Sequence, residues 1–308
     1  MLPDDVLRLA ALHRARAQQL AAVAARQLAL LWRTVAADNP QASWATVARR
    51  AQLVVSLAQS SAATGAQDYV DLATTLQGVA PDPAGTVPPS GFSGVASDGR
   101  PLDSLLSYPS FEVSAWLDQG MESPIALAAG ARHLQRIAVT QIVDAARVAT
   151  GVAIVNNRRT RGYIRVVTPP SCSRCTILAG RWYAYNAGFA RHPHCDCTQA
   201  PAVEVERPQS PRAIYDSMTS EQRRTAGWSL ADQKAIDDGA DLYRVTNARR
   251  DLRSMQVAGR TVKTTLRGAM SRKAAIRLTP EAIYAEAQRL GWSRDEIIRQ
   301  LTRNGYIL

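Results

Sequence analysis

The chain has 308 residues and a formal net charge of +11, and 46% of its residues are hydrophobic but only 6% are aromatic. This length allows about two domains, and many alanines with few aromatics favour helix-rich packing over one large aromatic core. No apolar run approaches the roughly 20 residues that span a bilayer, and the first residues are acidic where a signal peptide is basic. We therefore expect a soluble protein made in a cytoplasm.

The positive charge is unevenly spread along the chain. Residues 1–155 carry 11 Arg and 12 Asp or Glu, whereas residues 156–308 carry 26 Lys or Arg and 14 Asp or Glu. A basic half suggests a polyanionic partner, and nucleic acid is the obvious candidate because Arg and Lys neutralise phosphates without regard to sequence. A solvated, arginine-rich surface is the alternative. Residues 244–277 hold ten basic residues and a single acid, Asp251. The ten basic residues are the candidate nucleic-acid-binding residues: Arg244, Arg249, Arg250, Arg253, Arg260, Lys263, Arg267, Arg272, Lys273 and Arg277.

Helical periodicity dominates the first part of the chain. Apolar residues at near-helical spacing predict one helix over residues 4–37, which Asn39-Pro40 ends. A second helix is expected from about Ser43, a plausible N-cap, to residue 57, with a continuation towards residue 76. Such a pair is typical of a helical hairpin or the edge of a bundle. Residues 1–77 are therefore predicted to form a helical N-terminal region.

The composition then changes abruptly. Residues 78–109 hold six prolines mixed with Gly, Ser and Asp, which indicates a linker or extended arm. Helical patterns resume over residues 111–116 and 124–150. They open a predicted domain over residues 110–201.

The only strand-like pattern lies in that domain. Residues 163–167 alternate as a half-buried strand does, and residues 181–183 are candidates to pair back as a hairpin. Residues 202–308 read as a basic helical C-terminal region in short pieces, with capping-box spacing at Thr219 and Ser293. The predicted fold class is mainly α, with a helical hairpin or bundle, a small α+β zinc knuckle built on a β-hairpin, and a helical basic C-terminal part.

All four cysteines fall within 26 residues, together with two of the four histidines. A Cys-x-x-Cys turn lets Cys172 and Cys175 point at one tetrahedral ion, and a distant Cys/His pair completes the shell. Zinc suits these ligands because it accepts four sulfurs or three sulfurs and one nitrogen. Cys172 and Cys175 would share the ion with Cys195 and with either His192 or Cys197, and both shells remain open.

Other roles for the cysteines are less well supported. A cytoplasmic chain argues against two disulfides, and the Cys-x-x-Cys lacks the βαβ context of a thioredoxin-like redox site. A catalytic zinc site needs an open position and a nearby acid, and no His-x-Glu accompanies these ligands; Asp196 lies between two of them. We therefore expect structural zinc and no enzymatic activity.

The cysteine motif resembles the signature of phage Mu F-like minor head proteins. The shared pattern is Cys172-x-x-Cys175, then Leu-Ala-Gly-Arg-Trp-Tyr at residues 178–183, then His-Pro-x-Cys-x-Cys at residues 192–197. The resemblance covers about residues 162–201. The sequence departs from this family signature at two places: Pro-Pro-Ser precedes the first cysteine, and Asp196 lies between the last two. Neither difference removes a ligand, and both affect only the outer hydrogen bonds of the site.

The resemblance implies a low-copy head protein inside the capsid near the portal vertex, with expected roles in head morphogenesis and in DNA delivery. Its implied partners are the portal protein, the major capsid protein or both, and packaged double-stranded DNA, with no membrane and no small-molecule substrate. Some relatives of such proteins are fused to a protease or a toxin. Residues 91–94, Gly-Phe-Ser-Gly, do not form a Gly-x-Ser-x-Gly elbow, and His13 and His133 read as ordinary helix residues.

Two rival functions use the same features. A zinc-knuckle nuclease of the HNH kind also has paired Cys-x-x-Cys ligands, but its general base would have to be His192 or His194. A sequence-nonspecific DNA-binding protein unrelated to virions would bind DNA through residues 202–308 with steep salt dependence. DNA cleavage that requires His194 would favour the first, and no affinity for a portal ring would favour the second.

Overall fold

The computed structural model describes residues 2–188, 197–205, 210–248, 252–257, 260–265 and 277–308. The chain divides into two compact units. The first unit comprises Met1–Val166 and Arg181–Pro208, and the second comprises Val167–Gly180 and Gln209–Leu308. The described residues are mostly helical, as predicted, with two small antiparallel sheets.

The first unit consists of five α-helices, one 3-10 turn and three strands among its described residues. They are α1 (Asp4–Trp32), α2 (Pro40–Ala63), α3 (Ala66–Thr75), the 3-10 turn (Pro89–Phe92), α4 (Leu102–Asp118), α5 (Ser123–Asn156), β1 (Gly162–Val166), β2 (Trp182–Ala184) and β3 (Thr198–Ala202). The predicted first helix is confirmed, although it ends at Trp32.

The start of α2 differs from the expectation. Asn39, not Ser43, is the N-cap, because its side chain accepts a hydrogen bond from the Ala42 amide at 3.2 Å. Pro40 occupies the first helical turn, where its missing N–H is no loss and its fixed φ suits the helix. The break between α2 and α3 falls at Gly65, whose φ of +83° favours glycine.

Helix α5 is the centre of the first unit and packs against α1, α2 and α4. It is the one described helix long and apolar enough to cross a membrane, but 67% of its most apolar window is buried inside the protein, as in a core helix. Gly130 lets α5 approach its neighbours closely, since an added Cβ would lie 2.5 Å from Val113 Cγ2 and 2.6 Å from the Trp32 ring. The Trp32 indole donates to the Leu127 carbonyl at 2.9 Å.

The proline-rich segment lies against this bundle. The Gln59 side chain donates to the Val95 carbonyl at 3.0 Å and accepts from the Gly94 amide at 2.9 Å. The Gln141 side chain accepts from the Ser97 amide at 2.6 Å. Because α4 begins at Leu102, residues 102–109 are helical rather than part of the predicted linker or arm.

The sheet of the first unit has the strand order β2-β1-β3 and is antiparallel. The predicted hairpin pairing is confirmed, with Tyr163 opposite Tyr183 and Ile164 opposite Trp182. The expected half-buried strand is wrong, because all five residues of β1, which is the central strand, are buried. Strand β3 was not predicted. It lies at an edge of the sheet, where Pro201 can stand opposite Tyr163 without breaking a central ladder.

The second unit consists of short helices and a second sheet. Its described elements are α6 (Ser173–Thr176), α7 (Pro211–Ser217), α8 (Ser220–Ala226), α9 (Leu230–Asp237), α10 (Leu242–Ala248), β4 (Leu252–Val257), β5 (Arg260–Thr265), β6 (Arg277–Leu278), α11 (Pro280–Leu290) and α12 (Arg294–Arg303). The prediction of a helical C-terminal region is wrong over residues 252–257 and 260–265, which are strands. Five of these twelve residues are Val or Thr, whose β-branched side chains favour strands.

Side-chain caps begin the helices of this unit. Thr219 and Gln222 form the predicted capping box, and Ser229 with Asp232 forms a second one. Ser293 accepts from the Glu296 amide at 3.3 Å. Because each cap is local, these helix starts follow directly from the sequence.

Candidate functional site

The Cys-x-x-Cys motif forms the first turn of α6. Cys172 is the N-cap, and its sulfur accepts a hydrogen bond from the Cys175 amide at 3.3 Å. The Cys172 carbonyl accepts from the amides of Cys175 and Thr176, each at 3.0 Å. Cys175 is buried and Cys172 is half-buried. The two thiols therefore share one turn, as a pair of ligands to one ion requires.

The remaining candidate ligands lie at or beyond the edge of the described residues. His192 and Cys195 lie outside them, as do His194 and Asp196. Cys197 is buried immediately before β3, and its carbonyl accepts a hydrogen bond from Arg147 Nε at 3.0 Å. Within the described part of the chain, no group of three or more His, Cys, Asp or Glu residues is arranged to hold a metal ion.

Arg147 is a functional-site neighbour that the sequence did not reveal. It is buried on α5, and its guanidinium also donates to Asp144 at 3.0 Å. A buried arginine needs a carboxylate and carbonyls around it, and here it connects the Asp144 charge to the backbone of Cys197. The one sequence feature that indicates this ion pair is the spacing of Asp144 and Arg147, which lie three residues apart on one helix.

A half-buried histidine on α1 shares a cavity with Cys197. His13 and Cys197 line one small cavity in the first unit. The His13 ring stacks on Tyr69 with 4.2 Å between ring centroids, and Nε2 lies 3.0 Å from the Thr150 hydroxyl. Burial, assisted by the charge of Arg16, lowers the pKa of His13 to about 4, so the ring is neutral at neutral pH. This environment supports packing rather than proton transfer.

Two of the ten candidate nucleic-acid-binding residues serve the fold of the second unit. Arg277 is only 3% exposed, and its guanidinium donates to the carbonyls of Asn304 at 2.6 Å and Gly305 at 3.2 Å. Arg244 donates to the same Gly305 carbonyl at 2.9 Å. These hydrogen bonds hold the chain turn before Tyr306, which is fully buried. Both guanidinium groups are thus directed at protein backbone.

The other candidate basic residues fall into two groups. Arg253, Arg260 and Lys263 belong to β4 and β5. The members of the second group, which lie outside the described residues, are Arg249, Arg250, Arg267, Arg272 and Lys273.

Most exposed arginines on the described helices of the second unit are neutralised by neighbouring acids. These ion pairs, with distances of 2.5–3.2 Å, are Arg212–Asp216, Arg224–Glu221, Arg289–Glu286, Arg294–Asp238 and Arg299–Glu296. Because each pair cancels its own charge, these helices offer little net attraction to a polyanion.

A groove of about 370 Å³ runs along α5 in the first unit. Its lining includes Val148, Val152, Val155 and Tyr185, all of them substantially exposed. An apolar lining of this kind suits packing against another apolar surface better than acid–base chemistry.

One family model matches this chain, that of the VG15 protein family, over residues 7–221. The match runs from within α1 to the start of α8 and includes all five candidate zinc ligands. No curated protein and no solved structure is similar to the chain at a significant level. Since the family model matches well over half of its length, the chain belongs to the VG15 protein family.

Proposed function

We propose that this protein is a phage minor head protein of the Mu F-like kind, associated with the portal vertex and with packaged DNA. Membership of the VG15 family, which is phage-related, supports a viral origin. The observation that carries the proposal is the motif from Cys172 to Cys197, which lies entirely inside the matched residues 7–221. The proposed role is structural, in head morphogenesis and DNA delivery.

The proposal includes one structural zinc ion. Cys172 and Cys175 fit the donor set because they leave the same helical turn, and an amide hydrogen bond to Cys172 Sγ favours the thiolate that binds metal. Cys195 and either His192 or Cys197 would complete the shell. When bound, zinc supplies a covalent-like cross-link between distant chain segments in place of a larger hydrophobic core.

The uneven charge distribution supports different binding partners for the two parts of the chain. Residues 1–155 have 11 basic and 12 acidic side chains and suit docking on a protein, such as the portal or the major capsid protein. The excess of basic residues in the rest of the chain suits packaged DNA. Neither role requires a membrane or a small-molecule substrate.

The test is association with the phage head. We expect the protein in purified virions at low copy number, and we expect tagged protein to co-purify with portal rings when the two are expressed together. An unrelated basic protein of similar size serves as the control for charge-driven trapping. Absence from virions together with no portal or capsid association would contradict the proposal.

A further inference from the structure

The groove along α5 meets a second cavity in the first unit. The groove, of about 370 Å³, is lined by α5 residues between Arg147 and Val155, and the second cavity, of about 240 Å³, by α5 residues between Gln141 and Val148. Val148 lines both, and we call the two cavities together the α5 groove. It follows residues 141–155, which span about 21 Å, or about four helical turns, at 1.5 Å per residue.

Five exposed apolar side chains line the α5 groove. On α5 they are Val148, Val152 and Val155, which are 43–53% exposed and have the i, i+4, i+7 spacing of a single helix face. Val95 and Tyr185, from the segments beside α5, are about half exposed as well. A stripe of this kind on a central helix is typical of a surface that packs against a partner.

The groove has no net charge of its own. Its described lining includes two charged side chains, Asp144 and Arg147, which are buried and form an ion pair at 3.0 Å. Ser97 and Asn186, which are exposed, are uncharged. An apolar partner can therefore cover the groove without burying an unpaired charge.

The end of the groove at Val155 is followed by a positively charged turn. Residues 158–161, Arg-Arg-Thr-Arg, come directly after α5. The first arginine pairs with Asp82 at 3.1 Å. Arg159 and Arg161 are exposed and form no ion pair with any residue that the structure describes. This end of the groove therefore attracts negative charge.

The sheet of the first unit fixes Arg161 beside the groove. The Tyr185 amide donates to the Arg161 carbonyl at 3.1 Å, which continues the β1–β2 pairing by one residue. Opposite residues of an antiparallel pair lie on the same face, and so do residues two apart on one strand. Arg161 therefore shares a face with Tyr163 and Tyr185, both of which line the groove.

We propose that the α5 groove binds an amphipathic helix of another protein, with its apolar side chains in the groove and acidic side chains against Arg159 and Arg161. A helix suits a groove of about four turns whose exposed valines have helical spacing, because the ridges of one helix pack between those of another. The basic turn selects an acidic helix over a basic one by charge complementarity. The inference goes beyond the proposed function and does not require the phage-head role.

The experiment measures binding of two synthetic peptides to the full-length protein by fluorescence anisotropy. Each peptide has about 14 residues, which matches the groove at 1.5 Å per residue, and leucines at the i, i+4, i+7 spacing of a helix-in-groove ligand. One peptide carries glutamates at one end, and the other carries lysines at the same positions. A side-chain cross-link holds both helical, because free peptides of this length are marginal helices.

One pair of variants tests the apolar stripe. Val152→Glu places a charge in the middle of the stripe. Leu30→Glu is the matched control, since Leu30 is an exposed residue of α1 that lines neither cavity. Circular dichroism and thermal melting verify that both variants fold like the unaltered protein.

A second pair of variants tests the basic turn. The first carries Arg159→Gln and Arg161→Gln. The matched control carries Arg49→Gln and Arg50→Gln on α2, which are likewise exposed and without an ion pair in the described part of the chain. Both variants lose the same charge.

We expect the unaltered protein to bind the glutamate peptide at least about tenfold more tightly than the lysine peptide. Val152→Glu should weaken binding of the glutamate peptide by at least about tenfold, because it buries an unpaired charge. The loss of Arg159 and Arg161 should weaken it by about three- to tenfold, and high salt should remove this difference. Both controls should bind as the unaltered protein does.

Equal affinity for the two peptides, no measurable binding of either, or unchanged binding by the Val152→Glu variant would overturn the proposal. Sedimentation of the protein alone tests a second copy as the occupant. A dimer that Val152→Glu dissociates and Leu30→Glu does not would also overturn the proposal. None of these results depends on association with phage heads, so the failure of the proposed function would be seen separately.

Discussion

The guanidinium carbon of Arg277 lies 3.9 Å from the centroid of the Tyr306 ring. The tyrosine hydroxyl in turn donates to the Leu278 carbonyl at 3.0 Å, next to the arginine in sequence. Burial lowers the pKa of Arg277, although the nearby Tyr306 opposes this effect. Arg277 belongs to a basic run in the sequence, but its side chain packs on Tyr306 and stabilises the C-terminal end of the second unit.

Arg277→Gln should destabilise the second unit. The shorter amide loses the hydrogen bond to the Asn304 carbonyl and the stacking on Tyr306, and a hydrogen bond from a charged donor contributes about 1.5–3 kcal/mol. The Gly305 carbonyl keeps its hydrogen bond from Arg244. We expect a loss of about 2–4 kcal/mol in the free energy of unfolding, measured by urea denaturation. Arg303→Gln, at an exposed position of α12, is the control and should change stability by less than about 0.5 kcal/mol. Similar values for the two variants would refute the structural role of Arg277.

Stability should fall in mild acid because of His13. Its pKa in the folded protein is lowered from 6.5 to about 4, so the unfolded chain binds a proton that the folded chain rejects. The stabilisation is complete above pH 6.5 and is lost as pH falls towards about 4, by about 2–3 kcal/mol.

The control for this prediction is His13→Phe, which keeps an aromatic ring on Tyr69 but cannot be protonated. Unfolding free energies measured from pH 7.5 down to about pH 4.5 should decline less steeply in the variant than in the unaltered protein, by the amount that His13 contributes. An identical pH dependence in both proteins would mean that His13 is not the titrating group.

Gly130→Ala should destabilise the first unit, because the new methyl group would collide with Val113 and Trp32. Overpacking of this kind costs about 1–3 kcal/mol, against a gain of about 1 kcal/mol in helix propensity. Gly151→Ala on the same helix is the matched control, since its Cβ would meet only Gln199 Nε2, at 3.5 Å. Thermal melting should therefore show a lower Tm for the first variant and an unchanged or higher Tm for the second.

Zinc content tests the proposed metal centre. Elemental analysis of freshly purified, reduced protein should give one zinc ion per chain, and a Cys172→Ala, Cys175→Ala variant should lose both the zinc and thermal stability. Arg174→Ala changes an exposed residue between these two cysteines and should keep the ion. Comparison of His192→Ala with Cys197→Ser then identifies the fourth ligand, because only the true ligand reduces zinc affinity strongly. Protein without zinc under these conditions would remove the metal centre from the proposal.

The features that the sequence predicted well are local ones. The period of apolar residues in α1 and the capping box at Thr219 both depend on neighbours a few residues away. The Cys-x-x-Cys spacing likewise predicted that Cys172 and Cys175 share a turn. In each case, local geometry determines the structure before tertiary packing contributes.

The features that the sequence did not predict depend on distant partners or on competing patterns. Asn39 and Ser43 are equally good N-caps by residue type, and only the position of Pro40 in the first turn decides between them. The burial of Arg277 requires carbonyls at residues 304 and 305, which no pattern around residue 277 indicates. Strands β4 and β5 lie in a dense run of basic residues, where charge dominates the sequence pattern and the strand signal is short.

The contacts made by Gln59 and Gln141 have a further consequence for the segment that they hold. Both amides bind only main-chain atoms, at residues 94, 95 and 97. The route of this stretch therefore depends on two distant glutamines together with its own buried Ala96 and the Ser93 hydroxyl, which donates to the Ser56 carbonyl at 2.8 Å. We expect related chains to keep the path of the stretch where a carboxamide remains at positions 59 and 141, glycine at position 94 and a small residue at position 96, and to vary at the exposed position 95.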